Sequence, residues 1–409
     1  MTSWRDERLT VMSRAEIVVD LAAIRRNVRA LRECAGVPVM TVVKADGYGH
    51  GMVASAAAAR EAGAAWLGVA TVDEALALRA AGDTGRVLCW LTVPADDVAP
   101  VLAADVDVTA YTVAELDRIA DAAARAGLNR PARVQLKIDT GLSRGGATAA
   151  EWPDVVARAR VGEEAGSWRI TGIWSHFSTS EVPEDPANAE QEKVFAEALD
   201  IAAAAGLRPE VRHLANSAAA ILRPSSRYDL VRCGLASYGL DPAPNLHGTA
   251  VDDLGLIPAM TVRADLALVK HVEAGASVSY GHTWTASSPT TLGLVPVGYA
   301  EGIARRAAAR PDEPGKPAAE VLVAGRRRPI RGAICMDQFV VDLDGDTPQA
   351  GDDVLLWGPG TSGEPTAEEW AQACGTISYE VVTRIGGRMT RRYVDSDADQ
   401  AHDQGARKA

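Results

Sequence analysis

Short apolar runs recur at intervals through the first half of the chain, and helical patterns lie between them. Runs of this length, rich in β-branched residues and bounded by turn residues, predict buried strands. Eight strands that alternate with helices predict a (β/α)8 barrel of TIM type. An open doubly wound sheet is the alternative, but no strand-to-helix turn carries a GxGxxG fingerprint. The eight predicted strands cover residues 39–43, 66–69, 87–90, 106–110, 133–138, 170–176, 211–215 and 229–232.

The pattern changes after residue 255, where long helical stretches give way to short apolar runs separated by Gly, Asp and Pro. This predicts a second, mainly β domain with one helix near its end, opened by a capping box from Thr366 to Glu369. A chain of 409 residues is also long enough for two domains. We expect a barrel over residues 14–254 and the β domain over residues 255–394. The polar arm at residues 1–13 is a candidate addition to the β domain, residues 305–319 are expected to form a loop or insertion, and residues 395–409 a disordered polar tail.

Composition excludes several classes of function. The net charge is −12 and no basic block is present, which argues against a nucleic-acid partner. Five scattered cysteines without a CxxC pair indicate reduced thiols in a cytoplasm, and neither a disulfide framework nor a zinc site. The N-terminus lacks the apolar core of a signal peptide, and no run is long enough to span a membrane. We therefore expect a cytoplasmic protein with no bound metal.

The stretch VVKADGYGHG places Lys44 where the first barrel strand ends in a glycine-rich turn. Catalytic residues of a (β/α)8 barrel come from the carboxyl ends of its strands. A lysine ammonium buried there is costly, so its presence needs a reason. One reason is a lysine that forms a Schiff base with an aldehyde cofactor. The alternative is an ordinary lysine that extends its charged end to water.

Other predicted strand ends also carry polar side chains. They are KIDTGLSRGG after the fifth strand, His176 after the sixth, HLANSAA after the seventh and VRCGLASYG after the eighth. The last two loops are rich in small residues, and barrels commonly hold a phosphate at this position. Asn216 and Ser217 are equally consistent with a plain helix N-cap. In the β domain, tyrosines lie in VSYGHTWTA, VGYAEGI and ISYEVVTR. The segment ICMDQF follows a predicted strand, and for it a strand edge is the alternative to a functional role.

Several of these motifs, in this order, resemble the alanine racemase family. They are VVKADGYGHG, KIDTG followed by an arginine, HLANS, SYG at Tyr280 and ICMDQ, and the resemblance extends over about residues 14–394. It implies an enzyme that uses pyridoxal 5′-phosphate to racemise L-alanine and D-alanine, supplying D-alanine for cell-wall peptidoglycan. It also implies a homodimer with shared active sites. Another small amino acid, such as serine, remains an alternative substrate.

The resemblance implies a role for individual residues. Lys44 holds the cofactor and serves one face of the substrate Cα, and Tyr280 of the partner subunit serves the other. Lys137 is the lysine that many members carbamylate, and Asp337 is a partner of the residues that contact the substrate. The implied cofactor contacts are Tyr48, Ser217 and Tyr379 at the phosphate, with Asn216 and Gly234 in the same loops, Arg232 at the pyridine nitrogen with His176 against it, and Arg144 at the phenolic oxygen. Arg144, Met336 and Tyr299 are the implied substrate contacts.

Two rival functions share parts of this architecture. A barrel-type amino-acid decarboxylase uses a glutamate in an EPGR-like loop, and this chain contains Glu313, Pro314, Gly315 and Lys316. That segment lies in the second domain, however, and the position after the eighth strand holds Arg232 instead. A non-catalytic cofactor-binding protein resembles the barrel alone, whereas this chain adds a β domain with Tyr280.

Overall fold

The computed structural model describes residues 14–309, 315 and 317–396. These residues form two compact units, one of residues 20–259 with 395–396, and one of residues 14–19 with 260–394. The first strand, β1 (Ala15–Asp20), belongs to the second of these units apart from its last residue. The predicted arm at residues 1–13, the tail from residue 397, and Glu313, Pro314 and Lys316 lie outside the described residues.

Eight parallel strands form a nearly closed barrel in the first unit, as the alternating pattern predicts. Among the first seven strands in sequence, each is hydrogen-bonded to the next, and the eighth strand pairs back onto the first. The alternative of an open doubly wound sheet is therefore wrong. The strands are β2 (Val39–Val42), β3 (Trp66–Val69), β4 (Arg86–Cys89), β5 (Asp107–Ala110), β6 (Ala132–Lys137), β7 (Trp168–Trp174), β8 (Val211–His213) and β9 (Val231–Cys233).

Helices follow most barrel strands and begin where the sequence places their caps. The Asp20 carboxylate accepts a hydrogen bond from the Ala22 N–H at 2.9 Å and so caps the first helix. Capping boxes at Thr71 and Thr112 open the helices α4 and α6. The helices of this unit are α1 (Leu21–Ala35), α2 (Lys44–Tyr48), α3 (Met52–Glu61), α4 (Val72–Ala80), α5 (Ala99–Ala103), α6 (Val113–Arg125), α7 (Trp152–Glu164), α8 (Pro186–Ala204), α9 (Ser217–Leu222) and α10 (Ala250–Asp253).

Two glycines in the barrel strands make room for large neighbouring side chains. A Cβ on Gly68 would lie 2.7 Å from the Trp90 ring, and a Cβ on Gly172 would lie 2.6 Å from the Gln135 side chain. Protein interiors are close-packed, so such positions admit no larger residue without displacement. A buried apolar cluster, with Trp90 packed against it, consists of Met40, Trp66, Leu88, Trp174 and Leu230.

The second unit contains a nine-stranded sheet. Its strand order is β11-β14-β17-β16-β15-β18-β10-β1-β19, and a separate hairpin pairs β12 with β13. Two helices follow the strand β18. The elements are β10 (Met260–Asp265), β11 (Leu268–Val272), β12 (Ser277–Val278), β13 (Trp284–Thr285), β14 (Thr290–Val295), β15 (Glu320–Val323), β16 (Arg326–Arg331), β17 (Phe339–Asp342), β18 (Asp353–Trp357), α11 (Ala367–Cys374), α12 (Ser378–Arg384) and β19 (Thr390–Val394).

The division between the units differs from the predicted boundaries at residues 14 and 254. Strand β1 pairs antiparallel with β10, from Ala15 opposite Ala264 to Val19 opposite Met260, so residues 14–19 lie in the β unit. The barrel unit continues to Ala259, whose N–H donates to the Tyr238 carbonyl at 3.0 Å. Strand β1 directly precedes the barrel in sequence, yet it pairs with β10, a strand that follows the barrel.

Several elements of the β unit escaped prediction. Strand β16 reads RRRPIR and lacks the apolar alternation of a half-buried strand, because its arginines form ion pairs instead. Arg327 pairs with Glu369, and the buried Arg328 pairs with Asp346. The apolar run at residues 260–272 forms two strands, β10 and β11, and Tyr379 lies on helix α12, which the sequence pattern did not predict. Asp395, the residue that directly follows the β unit in sequence, forms an ion pair with Arg25.

Two chemical expectations can be compared with the structure. The five cysteines all lie in the described part of the chain and form no disulfide. Of the helices in residues 14–309 and 317–396, none is both long enough and apolar enough to cross a bilayer.

We predict that Gly172→Ala destabilises the barrel. The added Cβ would lie 2.6 Å from Gln135 Cδ in a buried site, so the free energy of unfolding should fall by about 1–3 kcal/mol. Gly386→Ala is the control, because a Cβ there meets nothing within 4 Å. Urea unfolding of the two variants checks this. Equal stability of the two would mean that Gln135 moves aside at no cost.

Candidate active site

A left-handed turn follows the strand that delivers Lys44. The φ angles of Ala45, Asp46, Gly47 and Tyr48 are 53°, 52°, 63° and 55°. Residues other than glycine rarely adopt this conformation, at a cost of roughly 1–2 kcal/mol each. Such strain persists only where surrounding contacts hold it.

Hydrogen bonds on several sides hold this turn. The Gly47 N–H donates to the Val43 carbonyl at 2.8 Å, and the Asp46 carboxylate accepts from the Met52 N–H at 2.9 Å. The Ala45 N–H donates to Glu74 Oε1 at 2.7 Å. The turn therefore fixes the backbone on the C-terminal side of Lys44.

The amine of Lys44 is half-buried, and its Nζ lies 5.7 Å from the ring centroid of Trp90. Burial, followed by the positive charge of Arg144, lowers the pKa of Lys44, while Glu74 opposes the shift. A lowered pKa increases the fraction of neutral amine, which is the form that acts as a nucleophile or base.

Arg232 on β9 is buried and lies among uncharged acceptors. Its Nη1 donates to the Nδ1 of His213 at 3.0 Å and to the His213 carbonyl at 3.1 Å. Its Nη2 lies 2.7 Å from the Ser175 carbonyl, 3.0 Å from the Leu214 carbonyl and 3.2 Å from the Nδ1 of His176. Burial lowers the pKa of Arg232 to about 9, so the guanidinium remains a cation near neutral pH.

A chain of hydrogen bonds continues from His213 through the barrel interior. His213 Nε2 lies 2.7 Å from Gln135 Oε1, and Gln135 Nε2 lies 3.4 Å from Asp107 Oδ2. Because a carboxylate only accepts, the Gln135 amide nitrogen faces Asp107 and its oxygen faces the histidine. His213 therefore donates from Nε2 and accepts at Nδ1, as a neutral ring.

Both histidines beside Arg232 are kept neutral. Burial, followed by the charge of Arg232, lowers the pKa of His213 and of His176 well below the usual range. Sequence reasoning included His176 but missed His213, Gln135 and Asp107 as partners. The available signal was Gln135, a polar residue that lies two positions before Lys137 on β6.

Lys137 lies at the end of β6 among aromatic rings. Its Nζ is 4.7 Å from the ring centroid of Trp174 and 5.4 Å from that of Tyr111. Burial, followed by the charges of Arg232 and Arg144, lowers the pKa of Lys137 to about 8. Arg144 follows in the next loop, where a Cβ on its neighbour Gly145 would lie 3.7 Å from Lys137 Nζ.

Hydroxyl groups and small residues meet after β8 and β9. Ser217 Oγ accepts from the N–H groups of Gly234 at 3.1 Å and Ala236 at 3.4 Å. A Cβ on Gly234 would lie 2.3 Å from the Tyr48 hydroxyl, so only glycine permits this approach. Asn216 Oδ1 accepts from the Ala219 N–H at 3.1 Å and so caps α9, as the plain N-cap interpretation predicts.

The structure brings nine of the predicted site residues to the loop end of the barrel strands. They are Lys44, Tyr48, Lys137, Arg144, His176, Asn216, Ser217, Arg232 and Gly234.

The remaining predicted residues lie in the β unit. The Tyr280 side chain is 77% exposed and follows Ser279, which has a φ of 63° and whose hydroxyl donates to the Ala333 carbonyl at 2.6 Å. Tyr299 and Met336 lie on adjoining turns, because the Tyr299 N–H donates to the Cys335 carbonyl at 3.1 Å. Both side chains are exposed.

An ion-pair network supports these two turns. Arg388 lies 2.6 Å from Asp337 and 2.5 Å from the buried carboxylate of Glu301. Glu301 Oε2 also accepts from the Gly298 N–H at 2.9 Å, next to Tyr299. Tyr379 lies apart from these turns in sequence, on helix α12.

Comparison with known proteins gives a consistent result. The family described as alanine racemase, N-terminal domain, matches residues 19–242, and the alanine racemase C-terminal domain matches residues 259–393. An alanine racemase of Streptomyces coelicolor is 51% identical over 400 residues, which is 96% of this chain and 99% of that protein.

Solved structures show the same similarity. The alanine racemase of a D-cycloserine-producing Streptomyces lavendulae superposes with a TM-score of 0.89 at 50% identity, covering 93% of this chain and 97% of that one. The alanine racemase of Bacillus anthracis with bound L-Ala-P gives 0.82 at 32% identity, covering 93% and 95%. Both domain families and near-complete coverage lead to one conclusion: the chain belongs to the alanine racemase family.

Proposed function

We propose that this protein interconverts L-alanine and D-alanine with the help of pyridoxal 5′-phosphate. The observation that carries the proposal is the half-buried Lys44, with its lowered pKa, at a strand end of the barrel that also positions the cation Arg232. The 51% identity to the Streptomyces coelicolor relative supports the same activity. The D-alanine would supply cell-wall peptidoglycan, and we propose that the protein acts in the cytoplasm.

The residues present fit the chemistry of this cofactor. The hydroxyls of Tyr48 and Ser217, together with the side-chain-free surface of Gly234, suit a phosphate, which accepts hydrogen bonds. A guanidinium has five N–H donors. The two Nη groups of Arg232 share their four N–H donors among five surrounding acceptors, including the Nδ1 of His176, and the Nε–H is then the donor that remains for a pyridine nitrogen. When bound, the cofactor supplies an aldehyde that joins covalently to an amine and a ring that withdraws electrons from Cα.

Arg232 decides how strongly that ring withdraws electrons. Because the guanidinium stays charged and can only donate, it opposes protonation of a nitrogen placed beside it. The ring is then a weaker electron acceptor, which favours return of the proton to Cα over side reactions such as transamination. His213 and His176 hold the guanidinium in place.

Racemisation requires proton transfer on both faces of Cα, so two groups must flank that plane. We propose that the Lys44 amine serves one face and the Tyr280 hydroxyl of a partner subunit serves the other. The large exposed fraction of Tyr280 is consistent with a residue that acts in another chain. The working unit would then be a homodimer with shared active sites.

The other predicted residues would hold the substrate and the cofactor ring. The Met336 backbone, Tyr299 and Arg144 would bind the substrate carboxylate or line its access route, and Asp337 would support them through Arg388. Lys137, whose lowered pKa favours the neutral amine, would attack carbon dioxide and release a proton to form a carbamate that orients Arg144. Tyr379 would complete the phosphate site, and Asn216 would position Ser217 by capping α9.

The first test is proton exchange. The purified protein, given L-alanine in deuterated water, should form D-alanine with deuterium at Cα, and borohydride should fix the cofactor to the peptide that contains Lys44. Lys44→Ala should abolish exchange, whereas Lys193→Ala, a change at an exposed helix position, should leave it intact. Release of carbon dioxide would indicate a decarboxylase, and exchange on L-serine but not L-alanine would reassign the substrate.

A second prediction concerns Arg232. Replacement by glutamate removes the cation that opposes protonation of the ring nitrogen, so racemisation should slow by about 10- to 100-fold and the share of transamination should rise. Arg227→Glu is the matched control, because Arg227 also donates to backbone carbonyls, including that of Ala220 at 2.8 Å. Pyruvate formation and racemisation are measured together. An unchanged ratio in Arg232→Glu would exclude a role at the ring nitrogen.

A third prediction concerns the shared site. Tyr280→Phe should suppress exchange from one enantiomer far more than from the other, by about 10²- to 10⁴-fold. When Lys44→Ala and Tyr280→Phe chains are mixed and allowed to exchange subunits, each heterodimer has one site with both residues intact, and activity should return. If heterodimers form but remain inactive, Tyr280 does not act across the interface.

A further inference from the structure

The acidic residue Glu74 of α4 has two separate sets of hydrogen bonds. Its Oε2 accepts from the N–H groups of Ala70 at 2.8 Å and Thr71 at 3.2 Å, which completes the capping box of α4. Its Oε1 accepts from the Ala45 N–H at 2.7 Å. One carboxylate therefore joins the start of α4 to the residue that follows Lys44.

A neighbouring helix shows that capping alone does not require the second contact. Glu115 occupies the same capping-box position in α6, and its Oε2 accepts from Tyr111 N–H at 2.6 Å and Thr112 N–H at 3.1 Å. The hydrogen bonds that the structure gives Glu115 all lie within its own loop and helix start. The contact to Ala45 thus separates Glu74 from an otherwise equivalent cap.

Ala45 is also the place where such a contact has the largest effect. It is the first of four consecutive residues with positive φ, and three of them, Ala45, Asp46 and Tyr48, are not glycine. In this left-handed turn, the N–H of Ala45 donates to Glu74 directly after Lys44. Loss of that acceptor would let the turn relax and move the lysine backbone.

The charge of Glu74 acts on the same amine. Lys44 is half-buried close to the cation Arg144, and both burial and Arg144 disfavour its protonated form. Glu74 is the carboxylate that opposes them. Its removal would therefore lower the pKa of Lys44 further.

We propose that Glu74 is a positioning residue for Lys44, which fixes the left-handed turn through Ala45 and balances the positive charge of Arg144. The catalytic consequence rests on the proposed role of Lys44 in racemisation. The structural consequence, a turn held by Glu74, does not depend on that role.

Three variants of the holoenzyme separate these effects. Glu74→Ala removes the cap, the contact to Ala45 and the charge. Glu74→Gln removes the charge and leaves a single oxygen acceptor, which can serve either the Ala45 N–H or the two N–H groups at the start of α4, but not both. Glu115→Ala is the matched control, because it removes an equivalent capping box without touching the Lys44 turn.

The readouts are amide hydrogen exchange of peptides spanning residues 40–52, the pH profile of kcat, and the melting temperature. Glu74→Ala should exchange about tenfold faster in this peptide and lose about 10- to 100-fold in kcat, since small displacements of a reacting group have effects of that size. Glu115→Ala should lower the melting temperature similarly and change neither. Glu74→Gln should lose exchange protection to a smaller extent than Glu74→Ala, and the acidic limb of its kcat profile should move to lower pH, because a lower pKa of Lys44 keeps the amine neutral at lower pH.

Two outcomes would overturn the proposal. Equal exchange and equal kcat in Glu74→Ala and Glu115→Ala would reduce Glu74 to a helix cap, and faster exchange with an unchanged kcat would show that the turn does not position Lys44. If Glu74→Ala does not fold, Glu74→Gln carries the test, and an unshifted pH profile together with unchanged exchange relative to wild type would refute the charge effect. Absence of racemase activity in the wild type would refute the proposed function instead, while the exchange data would still decide whether Glu74 holds the turn.

Discussion

The interactions of Arg232 constrain the barrel unit more than any others. A guanidinium that is 5% exposed would be strongly destabilising if its N–H groups lacked acceptors. The acceptors are carbonyl oxygens at the ends of β7 and β8 and the ring nitrogens of two histidines, and among the described residues no carboxylate pairs with this arginine. The cation is therefore solvated by dipoles without being neutralised, and its charge remains available to whatever binds beside it.

The barrel interior supplies the geometry that this arrangement needs. Asp107 is fully buried and accepts from Arg86 and Arg133, at 2.8 and 2.7 Å. It also fixes the orientation of the Gln135 amide, and through it the tautomer of His213. A carboxylate at the start of β5, paired with two arginines, thus determines through uncharged groups that the Nδ1 of His213, which faces Arg232, is unprotonated. Gly172 belongs to the same arrangement, because the Gln135 side chain occupies the space that a larger residue at this position would need.

The sequence was sufficient to predict the eight barrel strands and to place Lys44 and the glycine-rich turn at the end of the first of them, because buried strands leave a strong pattern of apolar runs. It was insufficient to predict the partners of Arg232, because the sequence does not show whether a polar strand residue such as Gln135 or Asp107 faces the barrel interior or solvent. Strand β16 was missed for a related reason, since its arginines are held by acids that are distant in sequence, such as Asp346. Local patterns also could not assign β1 to the β unit, because its pairing partner β10 lies more than 200 residues further along the chain.

The tautomers of the two histidines test the central claim, that Arg232 remains a cation held by neutral groups, most directly. Nitrogen NMR of the holoenzyme labelled with ¹⁵N-histidine, with the signals assigned by single His213→Asn and His176→Asn variants, reports the protonation of each ring nitrogen. We predict that both rings stay neutral from about pH 6 to pH 8, where Arg232 is a cation, protonated at Nε2 and unprotonated at Nδ1, because burial and the nearby guanidinium lower both pKa values. An imidazolium signal, or a proton on Nδ1 of His213, in this range would contradict the account, because Arg232 could then not donate to that nitrogen.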